Sequence, residues 1–357
     1  MQDFGILAWP AYLNKAGNPY NFLIYSNIEA KGFPVYEFSL DSKTVLKYCI
    51  FSKYKILHLH WPISNVLSVS RYLQAYRRLV TFYSFIIILK LLNKKIVWTV
   101  HNMEEHESTY PVLQTRLNNF LYKYVDGFIS LNKSGVKIIK RKVFNIERQK
   151  VFYIPHPHYK GYYKNLMNKD LVRKKLGIGE DKFVFLFLGQ IRKYKNVTGL
   201  IEAFKQLKDK NSILLIAGAL HEELAGELKE HLTNCEDIKL YNSFVKDDDL
   251  QIFLNAADLV VTPYNKIFNS GSVFLNLSFN KPTLVPDVES LTELKNMVGP
   301  HWIKSFSGPI NAEILMQAAE EVKNESKEVS IPDLNSFDTE RIANDTIACY
   351  RALLFEK

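Results

Sequence analysis

The sequence IFNSGSVFLNLSFNKPTLVP, residues 267–286, joins a Ser-Gly-Ser turn to a short apolar helix and then to a buried strand. Ser270, Gly271 and Ser272 stand where that helix begins. The first N–H groups of a helix have no partner inside the helix, so a side-chain cap or a bound anion has to satisfy them. Serine is a common helix cap. The stretch therefore predicts either an ordinary capped helix or an anion site.

Apolar runs of strand length alternate with helical patterns on both sides of this stretch. The predicted strands are 4–9, 34–39, 55–61, 95–101, 127–131, 151–156, 183–189, 212–218, 238–244, 259–264 and 282–286. Such alternation indicates parallel sheets covered by helices on both faces. It breaks at PHPHYKGYYKNLMNKD (155–170), which is rich in Pro, Tyr and Lys and has no period.

The predicted fold class is α/β, with two Rossmann-like, doubly wound domains that face a central cleft. We place an N-terminal, acceptor-side domain at 1–160 and a C-terminal, donor-binding domain at 161–337. The helical stretch 338–357 is long enough to cross back to the first domain. A chain of 357 residues agrees with two domains, because single cores stop growing at roughly 250–300 residues.

Composition indicates a soluble globular protein, with 47% hydrophobic and 23% charged residues. Cys49, Cys235 and Cys349 are far apart and match no metal spacing, so we expect a reducing, cytoplasmic compartment. The N-terminus lacks the basic flank of a signal peptide. The longest apolar run, 79–92, is interrupted by Lys90 and is shorter than the roughly 20 residues of a membrane span, so a buried helix is predicted.

Positive charge is concentrated in the first half of the chain. Residues 1–160 hold 22 Lys and Arg against 9 Asp and Glu, whereas the whole chain has a net charge of +9. This asymmetry suggests that the first half faces an anionic partner, either nucleic acid or an anionic membrane surface, although a merely basic, soluble surface is the alternative. The basic residues form no nucleic-acid-binding motif, so nucleic acid is not expected.

A second loop carries cations at the end of a strand. In FLFLGQIRKYKNVTGLIEAF (185–204) a buried strand ends at Gly189, and Arg192 and Lys195 precede a helix. Two cations beside a helix start, which is itself partly positive, suit a diphosphate. A solvated basic loop is the alternative.

The segment LGQIRKYKNVTGLIEAF (188–204) resembles the donor-binding segment of GT-B glycosyltransferases, especially the family 4-like group. The resemblance implies that Gly189, Arg192 and Lys195 grip the diphosphate of a nucleotide sugar, with Ser270, Gly271 and Ser272 as a second contact. The stretch SGSVFLNLSFNKPTLVP (270–286) is also similar to bacterial surface-polysaccharide transferases of the xanthan β-mannosyltransferase-like subgroup. By the same resemblance, Phe244, Val245 and Glu293 are expected at the nucleoside.

This sequence departs from the retaining members of the group, which carry two glutamates eight positions apart around this helix. The corresponding positions fall at about Ile267 and Leu275, and neither is acidic. The missing carboxylate pair favours inverting over retaining chemistry. An inverting transferase needs a base that takes the proton of the acceptor hydroxyl.

The first domain offers candidates for that base in IVWTVHNMEEHE (96–107). The resemblance implies that His101, at a strand end, lies beside the donor sugar; Glu104 and Glu105 are alternative bases. The remaining acceptor- or sugar-side candidates follow other strands and are Gly17, Asn18, Tyr20, Trp61 and Asn102. His58 and His60 point to the same face of a strand, but no third ligand is visible, so no metal and no other cofactor is expected.

The sequence thus predicts a metal-independent hexosyltransferase for bacterial surface-polysaccharide synthesis. It would move a sugar from a GDP- or UDP-linked donor to a glycan or polyprenyl-linked acceptor, in the cytoplasm at the inner face of the cell membrane. A non-catalytic nucleotide-sugar-binding partner subunit and a nucleotide-sugar epimerase of the same architecture are the alternatives.

Overall fold

A computed structural model describes residues 4–41, 47, 54–102, 109–145, 147–207, 209, 211–233, 235–265, 267–324 and 331–355. The chain forms two compact units. The N-terminal unit comprises Met1–Pro157 and Ser336–Lys357, and the C-terminal unit comprises His158–Asn335. The boundaries predicted from the sequence lie at 160/161 and 337/338.

The N-terminal unit is built on a parallel sheet of six strands. They are β1 (Gly5–Trp9), β2 (Val35–Glu37), β3 (Tyr54–His60), β4 (Lys95–Val100), β5 (Gly127–Ser130) and β6 (Lys150–Tyr153). Their order is β2-β1-β3-β4-β5-β6, and every neighbouring pair is parallel. The apolar runs that form β1, β4 and β5 are almost entirely buried, as strands covered on both faces must be.

Helices cover both faces of this sheet. The first five are α1 (Tyr20–Ala30), α2 (Pro62–Leu67), α3 (Tyr72–Leu91), α4 (Pro111–Tyr124) and α5 (Lys133–Lys142). One core joins β3 and β4 to α3 and α4 through residues such as Leu59, Trp98, Phe82 and Leu117. The core on the opposite face contains α1 and residues 342–353 near the end of the chain.

The C-terminal unit repeats this architecture. Its strands are β7 (Phe183–Leu188), β8 (Ser212–Ala217), β9 (Ile238–Tyr241), β10 (Leu259–Val261), β11 (Thr283–Pro286) and β12 (Ile303–Phe306). They form a second parallel sheet with the order β12-β11-β10-β7-β8-β9. Its helices are α6 (Lys169–Leu176), α7 (Val197–Lys205), α8 (Ala225–Leu232), α9 (Leu250–Ala256), α10 (Gly271–Ser278), α11 (Glu289–Val298) and α12 (Ala312–Asn324). The α/β prediction with two doubly wound domains is confirmed.

The last helix, α13 (Thr339–Phe355), belongs to the N-terminal unit. It packs beside α1, and its residues Ile342, Ile347 and Tyr350 are buried in the same core as Ile24 and Tyr25. The helix α13 therefore packs, together with α1, on one face of the N-terminal sheet.

Some predicted element bounds differ from the structure. The sequence pattern also predicts one helix at 66–92. The structure has two helices here, α2 and α3, separated by residues 68–71. The expected burial of this region holds for one face of α3 only, because Leu73, Val80 and Leu91 are exposed on the other. Among the described helices, none combines the length and apolar character that crossing a bilayer requires.

Candidate functional site

The strand order of the N-terminal sheet reverses between β1 and β3. From β1 the chain moves outward to β2, and from β3 it moves the other way to β4, β5 and β6. Ligands of doubly wound sheets bind outside the carboxyl ends of the strands at such a switch point. The predicted acceptor-side residues Tyr20 and Trp61 follow β1 and β3, and the predicted base His101 follows β4, so all three stand at this edge.

His101 lies in a cage of rings. The Trp61 ring stacks on the imidazole with a centroid distance of 3.9 Å and an interplanar angle of 16°. The Tyr20 ring meets it edge-on at 4.9 Å, and His60 Nδ1 lies 2.9 Å from His101 Nε2. Trp61 has a φ of 48°, and Pro62 starts α2 directly after it. The structure thus brings three of the predicted residues into one cluster.

The loop after β1 contributes unequally. Tyr20 is buried, whereas Gly17 and Asn18 are exposed, and the Asn18 side-chain oxygen accepts a hydrogen bond of 3.3 Å from the Tyr20 N–H. Only Tyr20 therefore reaches the ring cluster. The Glu37 carboxylate holds the preceding loop, because it accepts hydrogen bonds from the backbone N–H groups of residues 11–13.

Burial keeps the histidines of this cluster neutral. It lowers the pKa of His58 to about 3 and that of His156 to about 4. The pKa values of His60 and His101 fall well below the usual range, mainly through burial and then through the neighbouring imidazoles. Each of these rings therefore carries one proton and one lone pair at neutral pH.

Three other N-terminal candidates add less. Asn102 directly follows His101 and is half-buried. Glu104 and Glu105, the alternative bases, lie outside the described residues. Within the described ranges, no group of three or more His, Cys, Asp or Glu is arranged to hold a metal ion.

The C-terminal sheet has its own switch point, between β7 and β10. Gly189 follows β7 and Gly218 follows the neighbouring strand β8. A Cβ atom on Gly218 would lie 1.9 Å from the Gly189 carbonyl oxygen, and φ at Gly218 is +154°. Only glycine fits at position 218, and its lack of a side chain lets the ends of β7 and β8 lie close together. The loop that carries Arg192 and Lys195 begins at this edge.

Lys195 and the Ser-Gly-Ser turn converge on one tyrosine. The Lys195 ammonium lies 5.3 Å from the centre of the Tyr264 ring, within cation–π range. The Tyr264 hydroxyl lies 3.2 Å from Ser272 Oγ, which lies 2.8 Å from Ser270 Oγ. Ser270 also caps α10, since its Oγ accepts from the Val273 N–H at 3.4 Å. This geometry is therefore compatible with both predicted roles of Ser270–Ser272, as a helix cap and as an anion contact.

Arg192 lies at the start of the same loop. Its Nε donates to the Gln190 side-chain oxygen at 3.1 Å, and it stands just before a short 3₁₀ turn, Lys193–Lys195. Asn196 is the N-cap residue of α7. A backbone hydrogen bond of 3.0 Å from Asn265 N to Tyr194 O ties this loop to the one after β10. Two cations and a helix start thus share one edge of the unit.

The predicted nucleoside residues lie on other elements. Phe244 follows β9 in an exposed position, Val245 is half-buried beside it, and Glu293 lies on α11. A cavity of about 510 Å³ opens between α7 and the loop after β12, with Tyr264 and Asn265 in its wall. None of its lining residues is cationic, although Tyr264 also contacts Ser272 and Lys195.

Sequence reasoning missed three residues of these clusters. Tyr264 ends the run predicted as a strand, and that position could have marked it. The hydroxyls of Tyr25 and Tyr350 lie 2.9 and 2.6 Å from His58 Nδ1. Tyr25 lies inside α1 and Tyr350 inside α13, and their helical positions carry no signal of a polar role.

Comparison with known proteins agrees with this architecture. Residues 168–295 match the family model described as glycosyl transferases group 1. A GDP-mannose:glycolipid 4-beta-D-mannosyltransferase of Xanthomonas campestris pv. campestris is 25% identical over 83% of this chain and 79% of its own. The match to the model covers the cations after β7 and the turn before α10.

Solved structures share the fold over nearly the whole chain. Alr3699/HepE from Anabaena, crystallised with UDP, has a TM-score of 0.67 at 15% identity, covering 98% of this chain and 100% of that one. WaaG, a glycosyltransferase involved in lipopolysaccharide biosynthesis, has a TM-score of 0.63 at 14% identity, covering 96% and 99%. The comparisons do not support the partner-subunit and epimerase alternatives. The C-terminal unit thus carries a glycosyl transferases group 1 domain, and the chain has the two-domain GT-B fold of these solved structures.

Proposed function

We propose that the protein transfers a sugar from a GDP- or UDP-linked donor to a glycan or lipid-linked oligosaccharide acceptor in the synthesis of a bacterial surface polysaccharide. One observation supports the donor part of this proposal. Lys195 and Ser272 both contact Tyr264, next to Gly189 and at the start of α10. This edge supplies an ammonium, hydroxyls and the N–H groups of a helix start. Those are the groups that bind a diphosphate.

The relatives support both the donor class and the acceptor class. The Xanthomonas relative is named for GDP-mannose and a glycolipid, whereas the Anabaena structure was solved with UDP. Guanine and uracil both remain open as the base, with Phe244, Val245 and Glu293 proposed at the nucleoside.

The leaving nucleoside diphosphate would be stabilised by Arg192, Lys195 and the Ser270–Ser272 turn, without a metal. Preorganised positive charge of this kind is usually the largest single catalytic contribution. We place His101 as the base that removes the acceptor hydroxyl's proton, with Tyr20 and Trp61 against its ring. Gly17, Asn18 and Asn102 are proposed on the sugar and acceptor side. An anionic substrate beside the imidazole would raise its lowered pKa, because negative charge favours the imidazolium.

Neither Ile267 nor Leu275 can serve as a sugar-side carboxylate. Both side chains are partly buried and pack against the cores of the C-terminal unit. We therefore propose inverting chemistry, in which the acceptor oxygen attacks the anomeric carbon as the bond to the diphosphate breaks, and the proton passes to the base. Product NMR would test it: retention of the donor's anomeric configuration would contradict inversion.

Donor binding depends on the two cations in the loop after β7. Replacing Arg192 or Lys195 by alanine should weaken nucleoside diphosphate binding at least about tenfold, as expected from the loss of one charge-assisted contact of roughly 1.5–3 kcal/mol. Thermal shifts with GDP, UDP and ADP measure this, because ligand at about 100 times its Kd stabilises the protein by about 2.7 kcal/mol.

Lys193→Ala is the matched control for those variants, since Lys193 is exposed on the same turn. We expect it to bind like the wild type. If no nucleotide shifts the wild-type melting curve, or if Lys193→Ala weakens binding as much as Lys195→Ala does, the proposed donor site is wrong.

The surface of the N-terminal unit supports the proposal of a lipid-linked acceptor. Leu73, Tyr76, Val80, Ile87 and Leu91 form an exposed apolar stripe along α3, at spacings of three, four, seven and four residues. Two cations of the same segment, Arg71 and Arg77, are also exposed. Apolar side chains beside Lys and Arg suit the interface of an anionic membrane, where each nearby cation contributes about 1 kcal/mol. We therefore propose peripheral attachment at the cytoplasmic face of the membrane.

Replacing Leu73, Tyr76 and Val80 together by serine should reduce binding to phosphatidylglycerol vesicles at least about tenfold, because each buried apolar side chain contributes roughly 1.5 kcal/mol or more. Vesicle flotation measures the effect. Met316→Ser with Ile331→Ser, which alters equally exposed apolar residues in the C-terminal unit, is the control. Equal flotation of both variants, or no flotation of the wild type, would refute membrane attachment through α3.

A further inference from the structure

A buried line of hydrogen bonds leads from the last helix to His101. The Tyr350 hydroxyl on α13 lies 2.6 Å from His58 Nδ1, and His58 Nδ1 lies 2.9 Å from the Tyr25 hydroxyl. The Tyr25 hydroxyl lies 2.6 Å from His60 Nε2, and His60 Nδ1 lies 2.9 Å from His101 Nε2. All five side chains are less than 9% exposed, so water does not compete for these bonds.

Counting protons shows that the two imidazoles at the end of this line are coupled. Both rings are neutral, because burial lowers their pKa values well below the usual range. The contact between His60 Nδ1 and His101 Nε2 is a hydrogen bond between two neutral rings, so one of these nitrogens carries a proton and the other a lone pair. If His101 donates it, both rings carry their proton on Nε2; if His60 donates it, both carry it on Nδ1. The tautomer of His101 is thus fixed by that of His60.

Tyr25 connects this pair to the rest of the line. Its hydroxyl accepts from His60 when that ring is protonated on Nε2, and donates to it when the proton is on Nδ1. The far side of the same hydroxyl faces His58, whose Nε2 lies 2.8 Å from Thr99 Oγ1. The Tyr25 and Tyr350 hydroxyls both lie against His58 Nδ1. With the His58 proton on Nε2, facing Thr99, both hydroxyls donate to Nδ1, and the Tyr25 oxygen then accepts from His60 Nε2–H.

We propose that His60 is the positioning residue for His101, and that Tyr25, His58 and Tyr350 hold His60 in the Nε2–H tautomer. In this arrangement His101 Nε2–H donates to His60, and the lone pair of His101 is on Nδ1. That nitrogen is the one that can accept a proton from a substrate hydroxyl, so this part rests on the proposed function. The last helix of the chain thereby sets the protonation state of a residue that is 249 positions earlier than Tyr350.

The test uses the full-length protein with ¹⁵N-labelled histidine. Long-range ¹H–¹⁵N spectra distinguish the tautomers of each ring, and the spectrum of His101→Asn assigns the His101 signals. We expect Nε2–H for both His60 and His101 in the wild type. Tyr25→Phe should leave His101 as a mixture of tautomers and lower kcat about tenfold at unchanged donor KM. Tyr350→Phe should cause a smaller change of the same kind.

Tyr122→Phe is the control, because Tyr122 is a buried tyrosine in the core on the opposite face of the same sheet. It should change neither the tautomers nor kcat. The inference is overturned if His60 and His101 show different tautomers in the wild type, or if Tyr25→Phe leaves the His101 signals unchanged. Tautomers that behave as expected in a protein without transfer activity would support the hydrogen-bond line and reject the proposed function alone.

Discussion

Replacing His101 by asparagine lowers kcat by about 10²- to 10⁴-fold, the usual contribution of a general base, and leaves donor affinity unchanged. The amide of asparagine can still hydrogen-bond to His60 Nδ1, which lies 2.9 Å from the imidazole it replaces. What the variant lacks is the basic nitrogen. Donor affinity is unaffected because the proposed diphosphate contacts, Arg192 and Lys195, belong to the C-terminal unit.

Initial rates of sugar transfer measure this effect, and the circular dichroism spectrum of the variant checks that it folds. His231→Asn is the control, since His231 is a partly exposed histidine on α8. If His101→Asn keeps kcat within a few-fold of the wild type, His101 is not the base, and Glu104 and Glu105 become the residues to replace.

Acid destabilises the N-terminal unit well before its carboxylates titrate. His58, His60, His101 and His156 are neutral in the folded protein, with pKa values lowered by burial, to about 3 for His58 and about 4 for His156. In the unfolded chain a histidine titrates near 6.5. Between these values the unfolded state binds more protons, so the free energy of unfolding falls as the pH falls from 6.5. At pH 5 the loss is about 2 kcal/mol for His58 and about the same for His156.

Guanidinium chloride unfolding at pH 7.5, 6.5 and 5.5 measures this loss. Trp9, Trp61 and Trp98 report on the N-terminal unit, and Trp302→Phe removes the tryptophan of the other unit. His156→Asn should reduce the change in the free energy of unfolding between pH 7.5 and 5.5 by about 1.4 kcal/mol in total, because it deletes one titrating group. A free energy of unfolding that stays constant from pH 7.5 to 5.5 would show that the histidines are not buried as described.

Candidate residues are easiest to group from the sequence where they are close along the chain. Gly189, Arg192 and Lys195 follow one strand within seven residues, so strand–loop–helix periodicity is enough to place them at one strand end. His58 and His60 were placed on one face of β3 by the period of two. Their partners could not be predicted, since Tyr25 lies 33 positions before His58 and Tyr350 lies 292 positions after it. Only the packing of α1 and α13 on the same sheet brings them together.

The limits of periodicity also explain the differences in the fold. The run that forms α3 is apolar on both faces, so burial alone predicted one long, fully buried helix. The structure instead buries Leu79, Phe82 and Phe85 and exposes Val80 and Ile87. The strand β12 and the helices α11 and α12 lie between the last predicted strand, 282–286, and the predicted helix 338–357, and they were not predicted.

The central claim is that this chain transfers a sugar from a nucleotide diphosphate donor. The most direct test incubates the wild-type protein with GDP-mannose, UDP-glucose or UDP-N-acetylglucosamine and a bacterial glycolipid extract, and measures glycosylated lipid and released nucleoside diphosphate by mass spectrometry. We predict that one donor is consumed, with equal amounts of both products, and that Lys195→Ala loses most of this activity. Nucleotide binding without any product from any donor would contradict the claim.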